Sequence, residues 1–178
     1  MKKEKLMVKS SAEYRIAVAG PERRRDITEF VLALMRDLYP KGAYEENPRD
    51  LFFFEEVYAG PENAVFLIAE DADGALLGTA AVRPYDRRFP EVEPTIGGGP
   101  VCEIVKFYIR PDRRRSGLGS RLYAEAERFA REAGYTESCL HTSLHLPGGY
   151  PFWQSRGYQE RYWESDQIAH MSKKLDEG

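Results

Sequence analysis

The chain has 178 residues, of which 42% are hydrophobic and 31% charged, values typical of one globular domain with a sizeable core. Its formal net charge of −3 argues against a general nucleic-acid binder, whose surface needs a basic excess. The two cysteines, Cys102 and Cys139, belong to no Cys-x-x-Cys pair, which argues against a disulfide framework or a metal site and predicts free buried thiols.

The first fifteen residues contain lysines but no apolar core of signal-peptide length. No later stretch approaches the roughly 20 consecutive apolar residues of a membrane span. We therefore predict a soluble, cytoplasmic protein with no membrane and no nucleic-acid partner. One domain is expected to cover residues 1–178, with an ordered core over about 13–174.

Hydrophobic periodicity predicts a strand, two helices and a hairpin in the first half of the chain. Apolar residues recur every three or four positions over 26–39, where Asp26 is a candidate N-cap and Pro40 a stop. The turn residues 71–74 separate two apolar runs, as in a hairpin. The predicted elements are a strand at 14–18, helices at 26–39 and 48–58, and strands at 64–69 and 76–82.

The second half begins with a stretch, 84–100, whose prolines and glycines predict an unusually long loop. Long ordered loops often line sites. An apolar face recurs through 117–133, which predicts a helix that ends at Gly134. The other predicted elements are strands at 101–109, 138–143, 158–163 and 168–174 and a short helix at 152–156.

The run 113–120 joins a predicted strand to a predicted helix and contains Gly117 and Gly119. Glycines there leave backbone N–H groups unshielded, and the start of a helix adds its positive dipole end. The run therefore predicts a site for a phosphate-bearing ligand, with an ordinary polar turn as the alternative. A P-loop needs lysine where Ser120 stands, and the dinucleotide fingerprint needs a small residue where Leu122 stands, which disfavours ATP and NAD.

Three features resemble the GNAT superfamily of acyl-CoA N-acyltransferases: the pattern Arg114-x-x-Gly117-x-Gly119, the segment Phe-Trp-Gln-Ser-Arg-Gly-Tyr at 152–158, and the order of the elements. The resemblance covers most of the chain. It implies the α/β (α+β) GNAT fold, a mixed central sheet of about seven strands flanked by about four helices. It also implies an N-acetyltransferase that moves the acetyl group of acetyl-CoA directly to an amine, without a metal. A homodimer is an option, because many relatives form one.

The sequence is also compatible with two other functions. The first is an acyl-CoA-binding regulator that retains the anion site and has weak or no catalysis. The second is a structural or protein-interaction domain with no ligand. The identity of the amine acceptor, a small molecule or a protein, is also open.

The resemblance implies which residues hold coenzyme A. The glycine turn would bind the pyrophosphate, and the main chain of 107–109 would run beside pantetheine, with the Phe107 amide able to polarise the thioester carbonyl. Arg115 and Arg121 would meet phosphates, with solvated charge as the alternative. The implied cofactor-binding residues are Phe107, Tyr108, Ile109, Arg114, Arg115, Ser116, Gly117, Leu118, Gly119, Ser120, Arg121 and Trp153.

Glu103 is the predicted catalytic base. It stands fourteen positions before Gly117, where the histone-acetylating members of the superfamily have their general-base glutamate. A base is needed because a protonated amine has no lone pair with which to attack. Apolar neighbours in the strand are expected to raise the pKa of the Glu103 carboxyl. The alternative is a glutamate that pairs with an arginine or faces water.

The sequence lacks the residue that usually protonates the leaving thiolate in this superfamily. Members of the superfamily use a tyrosine where this chain has Trp153, and an indole has no titratable proton in the useful range. Tyr150, three residues earlier, is the nearest substitute and is predicted as catalytic. Otherwise the thiolate leaves unassisted. Leu146 stands near the place of a frequent asparagine, so that role is not carried over.

The acceptor site is predicted to include Tyr85, Arg87 and His141. Arginines in the loop 85–90 would favour an acceptor with a carboxylate or phosphate. The acidic residues of 86–93 would instead favour a polyamine or lysine, and both options stay open. His141 is a candidate substrate contact or alternative base, or else a structural histidine. An acyl-cysteine intermediate is disfavoured, because nothing in the sequence pairs either thiol with an activating base.

Overall fold

The structure is a computed structural model that describes residues 3, 9–10 and 13–175. The N-terminal stretch that lacks a signal-peptide pattern therefore falls largely outside the described residues. Within them, no helix is long and apolar enough to cross a membrane. The chain forms two compact units, one of residues 1–83 and 104–133 and the other of 84–103 and 134–178. The prediction of a single domain stays a prediction.

Eight strands and four α-helices occur in the described residues. The strands are β1 (Lys9–Ser10), β2 (Arg15–Val18), β3 (Val65–Glu70), β4 (Leu76–Pro84), β5 (Val101–Ile109), β6 (Glu137–Ser143), β7 (Gln159–Trp163) and β8 (Ile168–Lys174). The helices are α1 (Arg24–Leu38), α2 (Arg49–Phe52), α3 (Leu118–Glu132) and α4 (Gly149–Ser155).

In the first unit, β2 pairs antiparallel with β1 and β3, and β3 pairs antiparallel with β4. All six residues of β3 are buried, so this strand is covered on both faces. The amphipathic pattern of α1 buries Ile27, Val31, Leu34 and Met35 on one face. The helix begins at Arg24 with Arg23 as its N-cap, so the prediction of Asp26 as the N-cap is wrong. The apolar face of α3 is buried in the same way, and the helix starts one residue later than predicted.

The prediction of one continuous helix over 48–58 is wrong. Helix α2 ends at Phe52, and a π-helical turn follows at Glu55–Ala59. The wider turn places Phe54 and Tyr58 in the core, where both rings lie within 5.5 Å of each other and of Phe66. Aromatic packing therefore overrides the regular helical spacing, and Phe52 is left 67% exposed.

In the second unit, the first three residues of β5 pair in parallel with β6, and Glu103 is the partner of Cys139. Strand β6 pairs antiparallel with β8, and β8 with β7. This register sets His141 opposite His170. The pairing is thus both parallel and antiparallel, as a mixed sheet requires.

The predicted long loop 84–100 contains a 3₁₀ turn at Glu93–Thr95. It is anchored by its own apolar side chains, which bury against the start of β5 and against β6. The loop contributes Tyr85, Val92 and Ile96 to this cluster, β5 contributes Val101, and β6 contributes Cys139. The loop is therefore a packed part of the second unit.

Candidate active site

The glycine turn of the first unit adopts a conformation that few sequences allow. Gly117 has a φ of +85° and Arg115 a φ of +59°, both in the left-handed region. The Ser116 hydroxyl donates to the Arg113 carbonyl, and the Arg114 Nε donates to the Ile109 carbonyl at 3.3 Å. The turn is thus held by its own hydrogen bonds as well as by glycine.

The turn leads directly into α3, which begins at Leu118 with Gly117 as its N-cap. The Arg121 N–H donates to the Gly117 carbonyl and closes the first turn of the helix. As the first N–H groups of the helix, those of Leu118 and Gly119 have no intrahelical carbonyl to bond, and the helix dipole places partial positive charge there. A Cβ on Gly117 would meet no atom within 4 Å, so the glycine is required by its φ and not by lack of space.

The arginines near the turn fall into two groups. Arg110 pairs with Asp112 at 2.6 Å, and Arg113 lies 3.9 Å from the Glu13 carboxylate. In the part of the chain that the structure describes, Arg115 and Arg121 pair with no carboxylate, and both are exposed. The Arg121 guanidinium lies 5.8 Å from the centre of the Tyr14 ring. The charges of Arg115 and Arg121 are therefore not neutralised by a neighbouring carboxylate of the described residues, and their contact with a phosphate stays a prediction.

The strand predicted to run beside pantetheine departs from regular geometry at Lys106, whose φ is +52°. The Thr79 hydroxyl donates to the Lys106 carbonyl at 2.7 Å, and the Arg110 N–H donates to the Leu77 carbonyl at 2.8 Å. Burial raises the pKa of Tyr108, so its hydroxyl stays neutral. The irregularity lies directly before Phe107.

In the second unit, Glu103 is only 1% exposed. It is not surrounded by apolar groups alone, as we expected, because Arg88 binds both of its oxygens, at 2.5 and 2.9 Å. Arg88 also donates to Asp86 at 2.8 Å. The structure thus shows the alternative that the sequence left open, an arginine-paired glutamate, and the role of Glu103 as base stays a prediction.

His141 lies beside Glu103, with 3.8 Å between its Nδ1 and a carboxylate oxygen. Its side chain is 41% exposed, whereas that of Glu103 is 2% exposed. Desolvation by the surrounding protein lowers the pKa of His141, and the Glu103 charge opposes this effect. The neutral imidazole, which carries a lone pair, is therefore favoured over the imidazolium.

His170 is a neighbour that the sequence analysis did not identify. It is buried on β8, its Nε2 lies 2.8 Å from a Glu164 oxygen, and its ring is 5.3 Å from that of His141. The Phe89 ring packs against both imidazoles, at 4.5 and 5.6 Å. Only strand register places His170 here, so no local motif could have indicated it. We call Arg88, Phe89, Glu103, His141 and His170 the histidine cluster.

The loop residues predicted to contact the acceptor are engaged with their own unit. Burial raises the pKa of the Tyr85 hydroxyl. Arg87 pairs with Glu93 and donates to the Gly97 carbonyl at 3.1 Å, and Arg88 is bound to Glu103. Both arginines already have carboxylate partners, so the argument for an anionic acceptor loses its support.

The two residues predicted on the short helix differ in exposure. Tyr150 is partly buried and its hydroxyl accepts a hydrogen bond from Gln154 at 3.3 Å. Trp153 is buried, and its ring packs against Phe152 at 5.0 Å and Tyr158 at 5.4 Å. Trp153 thus belongs to the core of its unit, and its contact with a cofactor stays a prediction.

Both cysteines are buried, and neither forms a disulfide within the described residues. Burial raises the pKa of the Cys139 thiol, and the nearby Glu103 adds to this effect. A thiol kept protonated is a poor nucleophile, which disfavours an acyl-cysteine intermediate. No group of three or more metal-ligating side chains occurs among the residues that the structure describes.

Comparison with known proteins identifies relatives of this chain. The sequence profile of the Acetyltransferase (GNAT) family matches residues 28–158. An uncharacterised N-acetyltransferase of Schizosaccharomyces pombe is 30% identical over 100 residues, which are 56% of this chain and 55% of that protein. An aminoglycoside N(6')-acetyltransferase type 1 of Klebsiella aerogenes is 32% identical over 130 residues, 67% of this chain and 80% of that protein. The match thus spans about half the length of the first relative and most of the second.

Solved structures share the fold. An acetyltransferase of the GNAT family from Staphylococcus aureus Mu50 superposes with a TM-score of 0.74 at 15% identity, over 92% of this chain and 99% of that chain. A putative acetyltransferase from Salmonella typhimurium, solved with its cofactor acetyl-CoA, has a TM-score of 0.67 at 18% identity, over 94% and 96%. At such low identity the likeness shows the fold alone.

The predicted fold class, α/β with a mixed sheet, is confirmed by the solved structures. The predicted enzyme class and co-substrate, an acyltransferase that uses acetyl-CoA, are those of the matched family. Because the family profile covers well over half of its residues, the chain belongs to the Acetyltransferase (GNAT) family.

Proposed function

We propose that this protein is an N-acetyltransferase that transfers the acetyl group of acetyl-CoA directly to an amine, without a covalent enzyme intermediate. The observation that carries the proposal is the glycine turn at the start of α3, with its left-handed Gly117 and with two arginines that pair with no carboxylate among the described residues. Helix N–H groups and arginines suit a pyrophosphate. A family of acetyltransferases supplies the chemical class.

The first unit provides the groups that hold the donor. Leu118 and Gly119 offer N–H groups at the helix start, and Arg115 and Arg121 offer positive charge. The main chain of β5 at Phe107 offers peptide groups to a pantetheine arm. When bound, acetyl-CoA supplies an acyl group activated as a thioester.

The second unit provides groups that collect the proton of the acceptor amine. We assign the base to His141, with Glu103 beside it as the charge that stabilises the imidazolium. His141 is the better exposed of the two and favours its neutral form, whereas both oxygens of Glu103 are bound by Arg88. A neutral imidazole near physiological pH is a suitable general base.

The thiolate of coenzyme A is the leaving group, and a proton donor assists its departure. Tyr150 remains the hydroxyl that we assign to its protonation, since Trp153 has no titratable proton in the useful range. A thiolate also leaves without a proton more readily than most leaving groups, because its conjugate acid has a pKa near 8.5. The proposal therefore does not depend on Tyr150.

The second candidate is an acyl-CoA-binding regulator without efficient catalysis. Two observations favour it: a buried tryptophan stands at the usual tyrosine position, and Glu103 is held in an ion pair. The histidine cluster favours the enzyme, because a regulator has no need of a neutral imidazole beside a buried carboxylate.

The test measures release of free coenzyme A from acetyl-CoA with a panel of amines. The panel contains an aminoglycoside, because a relative from Klebsiella aerogenes is named for that acceptor, together with a polyamine, a lysine peptide and amino acids. Turnover with any acceptor supports the enzyme. A rise in melting temperature with acetyl-CoA and no turnover supports the regulator. If acetyl-CoA causes neither turnover nor a rise in melting temperature, both candidate functions are contradicted. The cytoplasmic location and the homodimer stay predictions.

A further inference from the structure

Strand β5 contains one residue, Lys106, with a backbone conformation that is unfavourable for a residue with a side chain. Lys106 has a φ of +52°, a region that residues with a Cβ seldom occupy. An isolated strand would not keep this conformation, so the surrounding structure must hold it. The next peptide N–H belongs to Phe107, in the segment that we assign to the donor.

The Lys106 side chain is held by a buried carboxylate. Its Nζ lies 3.0 Å from an Asp50 oxygen, and the two side chains are only 17% and 9% exposed. The Tyr58 hydroxyl donates to the same carboxylate, and an Arg83 nitrogen lies 3.9 Å away. Although burial favours the neutral acid, Lys106 and Tyr58 lower the pKa of Asp50, so the carboxylate is ionised. A buried ion pair of this kind is costly to separate.

The Lys106 carbonyl is held as well. The buried Thr79 hydroxyl donates to it at 2.7 Å. This carbonyl and the Phe107 N–H belong to one planar trans peptide and point in opposite directions. Fixing the Lys106 carbonyl and side chain therefore fixes the direction of the Phe107 N–H.

We propose that Asp50 is a positioning residue that acts through Lys106. The Asp50–Lys106 ion pair holds the peptide between Lys106 and Phe107 so that the Phe107 N–H is directed at the thioester carbonyl of acetyl-CoA. A donor that is oriented before the reaction stabilises the negative charge that develops on this oxygen. This role rests on the proposed acyl transfer.

The test compares kcat with acetyl-CoA affinity in matched variants. Asp50→Asn keeps the size of the side chain and removes the charge, whereas Lys106→Val removes the ammonium and adds a β-branched residue that disfavours a positive φ. We expect both to lower kcat about 10- to 100-fold, the range for a misplaced group, with less than a threefold change in Kd. Lys106→Gly, which accepts the φ, should retain more activity than Lys106→Val.

Glu70→Gln is the matched control. Glu70, on β3, is another buried carboxylate of the first unit, and it pairs with Arg15 and Arg23. Its substitution should lower the melting temperature and leave kcat within about twofold, because this pair is not attached to the peptide before Phe107. Equal losses of kcat in Glu70→Gln and Asp50→Asn would reduce the ion pair to a contribution to stability and overturn the proposal.

A second measurement does not need turnover. We expect acetyl-CoA to move the Phe107 amide proton downfield in ¹H–¹⁵N spectra of the wild type and of Glu70→Gln, and to lose this effect in Asp50→Asn and Lys106→Val. If the wild type shows the shift but acetylates no amine, the proposed function fails while the positioning role stands. If Asp50→Asn keeps the wild-type shift, or the wild type has none, the positioning role is wrong.

Discussion

The glycine turn and the histidine cluster offer two ways of building a site. The turn is made from consecutive residues, and its proposed bonds come mainly from backbone N–H groups at the start of α3. The histidine cluster takes side chains from a loop and three strands: Arg88 and Phe89 from the loop, Glu103 from β5, His141 from β6 and His170 from β8. The turn should therefore depend on backbone conformation, and the cluster on side-chain identity.

The largest expected effect is on the histidine cluster. We expect His141→Asn to lower kcat/KM by about 100-fold or more, because a positioned general base contributes roughly 10²–10⁴-fold. Binding of acetyl-CoA, measured by calorimetry, should be unchanged. His145→Asn is the control, since His145 is exposed and lies outside the histidine cluster. Wild-type turnover in His141→Asn would remove His141 from the mechanism.

In the glycine turn, a single added methyl group should weaken acetyl-CoA binding. Gly117→Ala is expected to weaken acetyl-CoA binding about tenfold, because a Cβ at a φ of +85° costs roughly 1–2 kcal/mol and the turn relieves this strain by moving its N–H groups. Gly98→Ala is the control, because Gly98 has an ordinary φ and open space around its Cα. Equal dissociation constants for the two variants would contradict the dependence on conformation.

The coupling within the histidine cluster gives a pH prediction. The Glu103 charge raises the pKa of His141 against desolvation. In Glu103→Gln this support is lost, so the pKa of His141 falls further and the imidazole is neutral at lower pH. We expect the acidic limb of the kcat/KM profile to move to lower pH, with turnover about tenfold lower at the optimum. If the limb stays in place, Glu103 does not influence the base.

The smallest expected effects concern the exposed arginines of the turn. Arg115→Gln and Arg121→Gln should each weaken acetyl-CoA binding about threefold at low salt, as exposed ion pairs do, and the loss should shrink at high ionic strength. Arg110→Gln is the control, because Arg110 is already paired with Asp112. A loss in Arg110→Gln as large as in the other two would mean that only general charge matters.

Sequence reasoning was most successful where structure depends on near neighbours. The predicted strands and helices occur in the predicted order, after the short strand β1, which was not predicted, and β5 and β8 match their predicted bounds. The helix predicted at 48–58 failed, because the packing of Phe54 and Tyr58 against Phe66 decides the backbone there. The apolar neighbours of Glu103 in the strand did not identify its partner Arg88, because a loop sequence does not show where an arginine side chain will lie.

The sequence by itself determined the turn before α3 and the family. Glycine spacing and amphipathic periodicity involve residues close together in the chain, so they can be recognised without the tertiary structure. Only the tertiary structure decided which charges meet. Strand register set His141 opposite His170, and folding placed Asp50 beside Lys106, more than fifty residues away in the chain. Such pairs form because buried charges need partners, and their choice among many carboxylates and cations is made by packing.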